Sequence, residues 1–251
     1  MSSEFSVAVV AALEREVQPV AKRWAARERD HDGRRFKFFE NAGVALVCGG
    51  IGREAAARAT KAAIALYQPE LVISAGFAGA LMSHLAAGEW VLPALVVDAR
   101  DGSRVETDIA KTGLAKTAAR HLVLVTTDEV VNPERKAVLA RSYAAQAVDM
   151  EAAAVAQVTR AQGLHFLVVK AISDEAGFEM PPIGQFIGAE GDLNFWGLVA
   201  YAGPRFWLWP QLVRLARNSR VAAGALCCWL EDGVLWSSLV SSLLPKEVTT
   251  V

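Results

Sequence analysis

Short apolar runs of strand length alternate with longer alanine-rich segments through the first two thirds of this chain, and that alternation limits the fold more than any other feature. VAVVAAL at 7–13 precedes EREVQPVAKRW, which has helical spacing, and VALVC at 44–48 leads through GGIG into the helical EAAARATKAAIALY. LVISAGFAGAL at 71–81 has a buried-strand core running into glycines, and EWVLPALVVDA supplies further strand material. HLVLVTT at 121–127 is another strand, ahead of the helical NPERKAVLARSYA. AQAVDM enters the helix EAAAVAQVTRAQ, Gly163 stops it, and HFLVVKAIS at 165–173 is a strand with Ser173 and Asp174 at its polar end. Continuous apolar strands need cover on both faces, and the intervening helices supply it. The pattern predicts an α/β fold with a largely parallel, doubly covered sheet.

Composition narrows the partners. At 251 residues a single α/β domain is expected. The chain has 26 Lys plus Arg against 27 Asp plus Glu, so it offers no electrostatic footprint for general nucleic-acid binding, and a small or neutral ligand fits better. With 53% hydrophobic and 21% charged residues, disorder is excluded as the dominant state. Cys48, Cys227 and Cys228 have neither metal-ligand spacing nor the even count of a disulfide scaffold, which points to a reducing cytoplasm and to no metal. The apolar run from Phe5 to Leu13 is broken by Glu14, Arg15 and Glu16 and reads as a strand, not a secretory signal. Arg205, Glu231 and Asp232 interrupt the apolar stretches of the last third, so the expectation is a soluble protein, peripheral to a membrane at most.

Beyond Asp174 the character changes. A loop with Pro181 and Pro182 leads into a region holding Trp196, Trp207, Trp209, Trp229 and Trp236, read as a loop and helical extension over 179–251 of the same domain. Trp209-Pro210 opens a helix with Leu212, Leu215, Ala216, Ala222, Ala223, Leu226 and Leu230 on one face and Arg214, Arg217 and Arg220 on another. The plain reading is a packing or dimerisation element. The sharper one is an interfacial helix, flanked by Trp207, Trp209 and Trp229, that reaches lipid. The terminal VTTV is expected to fray.

Carboxylates at three strand ends carry the chemical signal. Glu16 lies one turn after the first strand, Asp149 and Glu151 flank Met150 at a strand-to-helix junction, and Asp174 ends a nearly all-apolar strand. Each has an ordinary reading: a solvated helix residue, an acidic helix start, an N-cap. Together they sit at the ends of separate strands, where open α/β sheets place their ligands, so they can converge on one crevice. Gly50, Gly52 and Ala55 in GIGREA approximate a dinucleotide fingerprint. The acidic residue that should end the next strand is missing, because LVISAG ends in Ser74, Ala75 and Gly76, which argues against nicotinamide. The glycine turn is then expected to offer N–H groups to a ligand oxygen.

The segments GGIGREAAA, SAGFAGAL, AVDMEAAAVAQV and VVKAISDEA resemble, in order and spacing, those of the nucleoside phosphorylase and nucleosidase superfamily, most closely its 5′-methylthioadenosine/S-adenosylhomocysteine nucleosidase branch. The likeness covers roughly residues 5 to 178. It implies a three-layer α/β/α sandwich around a mixed, largely parallel sheet, an adenine nucleoside as substrate, no cofactor, and a homo-oligomer, a dimer in that branch. It also implies roles: Glu16 activates the attacking water, Met150 and Glu151 meet the ribose, Asp174 is the acid at N7 of the base with Ser173 supporting it, and Val130 and Val131 pack on the base. Gly52, Gly76 and Phe77 complete the expected substrate contacts. An acid on Asp174 calls for a raised pKa through desolvation or nearby carboxylates.

Two positions depart from the branch: Phe77 stands where a small hydroxyl residue is usual, and Lys170 replaces an arginine. The Gly-Asp-Pro phosphate turn of the hexameric phosphorylases is absent and ALEREV stands in its place, so hydrolysis is favoured over phosphorolysis. A phosphate-dependent phosphorylase is one alternative. The other is a nucleosidase for lipid-linked adenosine, similar to the hopanoid-associated relative in the superfamily, for which Phe77 and the tryptophans would suit a large apolar 5′ substituent.

Overall fold

The computed structural model describes residues 5–112, 122–232, 236, 239 and 242–244, so His121 and the VTTV terminus lie outside the described residues. One mixed sheet organises the chain. Its centre is parallel: β1 (Val7–Ala11) lies between β4 (Val44–Cys48) and β5 (Leu71–Ala80), and β11 (His165–Asp174) runs along the other side of β5. A second parallel group, β10 (Ala147–Asp149), β9 (Val123–Thr126) and β7 (Leu95–Asp98), joins antiparallel to the far end of β5. Antiparallel edges come from the hairpin of β2 (Ala25–His31) and β3 (Arg34–Asn41), from β8 (Arg104–Glu106), and from the two-residue β6 (Trp90–Val91) against β11.

Side-chain alternation splits the core into two layers. Ala8 and Val10 of β1 face one cluster with Ala56, Ala59, Ala62 and Ala63 of α2 (Arg53–Tyr67) and Ala152, Ala153, Val155 and Ala156 of α4 (Ala152–Ala161). Val7, Val9 and Ala11 face the opposite cluster, with Val17, Val20 of α1 (Gln18–Ala21), and Leu226, Trp229 and Leu230 of α6 (Trp209–Glu231). The expected three-layer sandwich follows from this period of two. Two details differ from the sequence reading. The segment EREVQPVAKRW forms a short 3₁₀ turn and only four helical residues before the chain turns into β2. The β2 strand is charged and almost wholly exposed, which suits a sheet edge that must not pair further but leaves no apolar pattern to read.

The C-terminal helix is tied into the body of the protein. Its second half packs on β11 and β5, and Trp229 is only 3% exposed, whereas Trp207 is 60% exposed. Trp229 is therefore a core residue pressed against Trp236, and it cannot serve the lipid-facing role expected of it. Five exposed aromatics, Phe195, Trp196, Phe206, Trp207 and Trp209, cluster on α5 (Phe195–Ala202), the following turn and the start of α6. No described helix is long and apolar enough to cross a membrane.

Candidate active site

The sheet brings its acidic residues together at the carboxyl ends of its strands. Glu16 sits in the 3₁₀ turn beyond β1, Glu151 at the start of α4 just beyond β10, and Asp174 at the end of β11; all three are buried and line one cavity of about 1060 Å³. Met150, Ser173, Val130, Val131 and Phe77 line it as well. Gly52 and Gly76 stand one step behind the wall and shape the carboxylates.

Asp149 is the structural member of the group. It accepts hydrogen bonds from Thr126 Oγ1 at 2.6 Å and from the Ala152 N–H at 2.8 Å, and it pairs with Lys170 Nζ at 2.8 Å. This realises its plain reading as the acidic start of α4. Lys170 also stands 3.9 Å from Glu151 Oε2. Burial opposes the ammonium charge, but Asp149 and then Glu151 outweigh it and raise the lysine pKa. The lysine that departs from the family arginine is thus the buried counter-ion of two carboxylates.

Glu151 is held from the glycine turn. The Gly52 N–H donates to Oε1 at 2.8 Å, so that turn serves Glu151 and is not free for a ligand oxygen as the sequence suggested. Burial raises the Glu151 pKa, Lys170 works against that, and Asp149 adds to it.

Glu16 is the least compensated. Its Oε2 is buried and has no hydrogen-bond partner among the described residues. Burial first, and Glu151 second, push its pKa to about 7. Gly76 permits this close approach: its φ is +149°, and a β-carbon there would lie 2.8 Å from Glu16 Oε2 and 3.6 Å from Lys170 Nζ. A glycine is therefore required between the two charges.

Asp174 is flanked by donors. Ser173 Oγ donates to Oδ1 at 2.8 Å, and Lys136 Nζ donates to Oδ2 and also to the Glu175 carbonyl at 2.8 Å. Lys136, on α3 (Pro133–Tyr143), is as buried as any core leucine and lines the cavity. Sequence reasoning missed it, since a lysine in a charged amphipathic helix ordinarily points to water. Asp174 is buried, as expected, but the charged side chain bonded to it is a cation and not a carboxylate. Glu175 in turn pairs with Arg214 of α6 at 3.0 Å.

An available carboxylate that titrates near neutrality, an anchored carboxylate beside a buried cation, and a donor-rich aspartate on the opposite strand can serve a nucleophile, a cationic sugar and a leaving base respectively. The family follows from comparison with known proteins: a model described as "Phosphorylase superfamily" matches residues 6–192, and the chain belongs to that superfamily. Among its relatives, the 5′-methylthioadenosine/S-adenosylhomocysteine nucleosidase of Marinomonas sp. is 32% identical over 204 residues, covering 70% of this chain and 88% of the relative. The enzyme of the same name from Geobacillus thermodenitrificans is 30% identical over 200 residues, covering 68% and 85%. The fold is similar to the nucleosidase of Neisseria meningitidis in complex with methylthio-immucillin-A, with a TM-score of 0.66 at 22% identity over 89% of this chain and 96% of that one. The α5 and α6 wall of the cavity lies beyond the matched residues.

Proposed function

We propose that this protein is a nucleosidase that hydrolyses the N-ribosidic bond of a 5′-substituted adenosine and releases adenine. The observation that carries this reading is the convergence of Glu16, Glu151 and Asp174 on one cavity with the apolar Val130 and Val131 beside them. Breaking the bond leaves positive charge on the ribose and negative charge on the purine, so the reaction needs an acid at the base, an acceptor at the sugar and a nucleophile. Glu16, with a free oxygen and a pKa of about 7, takes a proton from the attacking water. Glu151, immobilised by Gly52, accepts from the ribose hydroxyls beside Met150, and Asp174 with Ser173 faces N7 of the base. Gly76 keeps the water side open, and Phe77 lines the sugar end. Hydrolysis is preferred to phosphorolysis because Lys170, the buried cation beside Glu151, is already taken by Asp149 and Glu151. The reading extends to a homodimer working in the cytoplasm, as the resemblance and the cysteine content imply.

The test is a panel of 5′-substituted adenosines assayed for free adenine with and without phosphate. Release that is independent of phosphate and gives no ribose 1-phosphate supports the reading; a sugar 1-phosphate as main product replaces it with a phosphorylase.

One observation favours a second reading, a lipid-linked adenosine as substrate. The cavity continues past the carboxylates between Leu198, Val199, Ala202, Leu212 and Val213, and it opens at the exposed Phe195 and Trp209. Its volume is at or beyond the top of the range of about 300–1,000 Å³ usual for small-ligand pockets. Residues 195–230 contain Arg205, Arg214, Arg217 and Arg220 and no Asp or Glu, so the aromatic rim is also cationic, as contact with an anionic membrane requires. Under this reading long apolar 5′ substituents are turned over better than a methylthio group, and anionic liposomes retain the protein.

A further inference from the structure

Lys136 is the buried charge that this mechanism leaves unused. Both oxygens of Asp174 accept hydrogen bonds, Oδ1 from Ser173 and Oδ2 from Lys136, which is the arrangement of an ionised carboxylate and not of a carboxylic acid waiting to donate. The two side chains are almost completely buried, 2% and 5% exposed, so neither charge can be screened by water in place of the other. The pair sits where Gly79 of β5 leaves room: a β-carbon there would lie 2.8 Å from Asp174 Oδ2 and 3.3 Å from Lys136 Nζ.

Resting on the nucleosidase reading, we propose that Lys136 stores the proton that the leaving purine takes up, delivering it through Asp174. As the C1′–N9 bond breaks, its electron pair goes to the purine. Oδ2 takes a proton from the Lys136 ammonium, which becomes a neutral amine, and the carboxyl so formed passes that same proton to N7. Water adds to C1′ and yields its proton to Glu16, and exchange with solvent returns that proton to Lys136. The pair holds one mobile proton before the bond breaks and none until solvent restores it to Lys136, and Asp174 ends as the carboxylate it began.

The other ionisable groups facing the cavity are Arg15, Glu16, Glu129, Asp149, Glu151 and Arg220. Asp149 and Glu151 are answered by Lys170, and Glu175, next to Asp174, by Arg214. Glu16 is thus the group expected to govern activity near neutrality, and Lys136 is the cation in contact with the general acid. A lysine ammonium in water holds its proton to about pH 10, and a carboxylic acid only to about pH 4.

The test is the pH dependence of kcat for adenine release by wild type and Lys136→Met, with 5′-methylthioadenosine or the best substrate of the panel. In the wild type, kcat rises through about pH 7 as Glu16 ionises and then stays within about threefold up to pH 9. In Lys136→Met a carboxyl must hold the proton unaided, so the deficit against wild type grows by up to about tenfold per pH unit above neutrality, at little change in KM. A deficit that is the same at pH 6 and pH 9 makes Lys136 a packing residue and overturns the proposal. So does a wild-type profile that already falls about tenfold per unit between pH 7.5 and 9, a readout that stands even if the variant does not fold. Failure of the nucleosidase reading looks different: the wild type then releases no adenine at any pH.

Discussion

Glu16→Gln should abolish turnover and, relative to wild type, make the protein progressively more stable as the pH rises from 5 to 8. The wild-type carboxyl ordinarily titrates at 4.5 and in the folded chain at about 7, because it is buried and faces Glu151. The folded state therefore binds the proton more tightly than the unfolded state. The contribution of this group is fully present below 4.5 and is lost as the pH rises through about 7. Each pH unit within that window corresponds to about 1.4 kcal/mol, so the wild type forfeits about 2–3 kcal/mol between pH 5 and pH 8. Glutamine does not titrate. Its buried amide carries a fixed cost of about 1–3 kcal/mol for unmade hydrogen bonds, equal at both pH values. Comparing the wild-type-to-variant gap at pH 5 with that at pH 8 cancels this cost and isolates the ionisation. Urea unfolding at 25 °C measures it, with kcat falling at least about a hundredfold in parallel. A gap that changes by less than about 0.5 kcal/mol would refute the reasoning that burial raises Glu16.

Glu151→Gln should impair ribonucleosides far more than their 2′-deoxy analogues, since its carboxylate is assigned to the ribose hydroxyls; equal losses in kcat/KM would make it structural. Lys170→Met strips the buried counter-ion from Asp149 and Glu151 and should cost about 3–5 kcal/mol in urea unfolding, with a loss below about 1 kcal/mol counting against the charge cluster. Gly76→Ala drives a methyl to 2.8 Å from Glu16 Oε2 at a positive φ, so kcat should fall with a destabilisation of about 1–3 kcal/mol, and unchanged kinetics would mean that Glu16 moves freely. Arg217→Glu with Arg220→Glu, two exposed α6 arginines, should release the protein from anionic liposomes if the aromatic rim docks there; retention unaffected by charge reversal or salt would remove the membrane contact.

The alternation of VAVVA, VALVC, LVISA and HFLVVKAIS with alanine-rich segments determined the α/β class by itself, because strands buried on both faces must be apolar throughout and must be covered by helices. It also placed Glu16, Glu151 and Asp174 at strand ends, and the D-M-E and I-S-D blocks supplied the family. The edge hairpin stayed hidden, since an exposed, charged strand such as β2 carries no periodic signal. Three further facts needed the tertiary structure. Lys136 lies 38 positions from Asp174 and meets it only because α3 and the end of β11 pack together. Lys170 and Gly52 become partners of the acidic block through strand pairing and a distant turn. The tryptophans divide between core and rim according to which half of α6 reaches the sheet, and composition cannot decide that, because the same apolar ring stabilises a buried cluster or faces solvent depending on what folds against it.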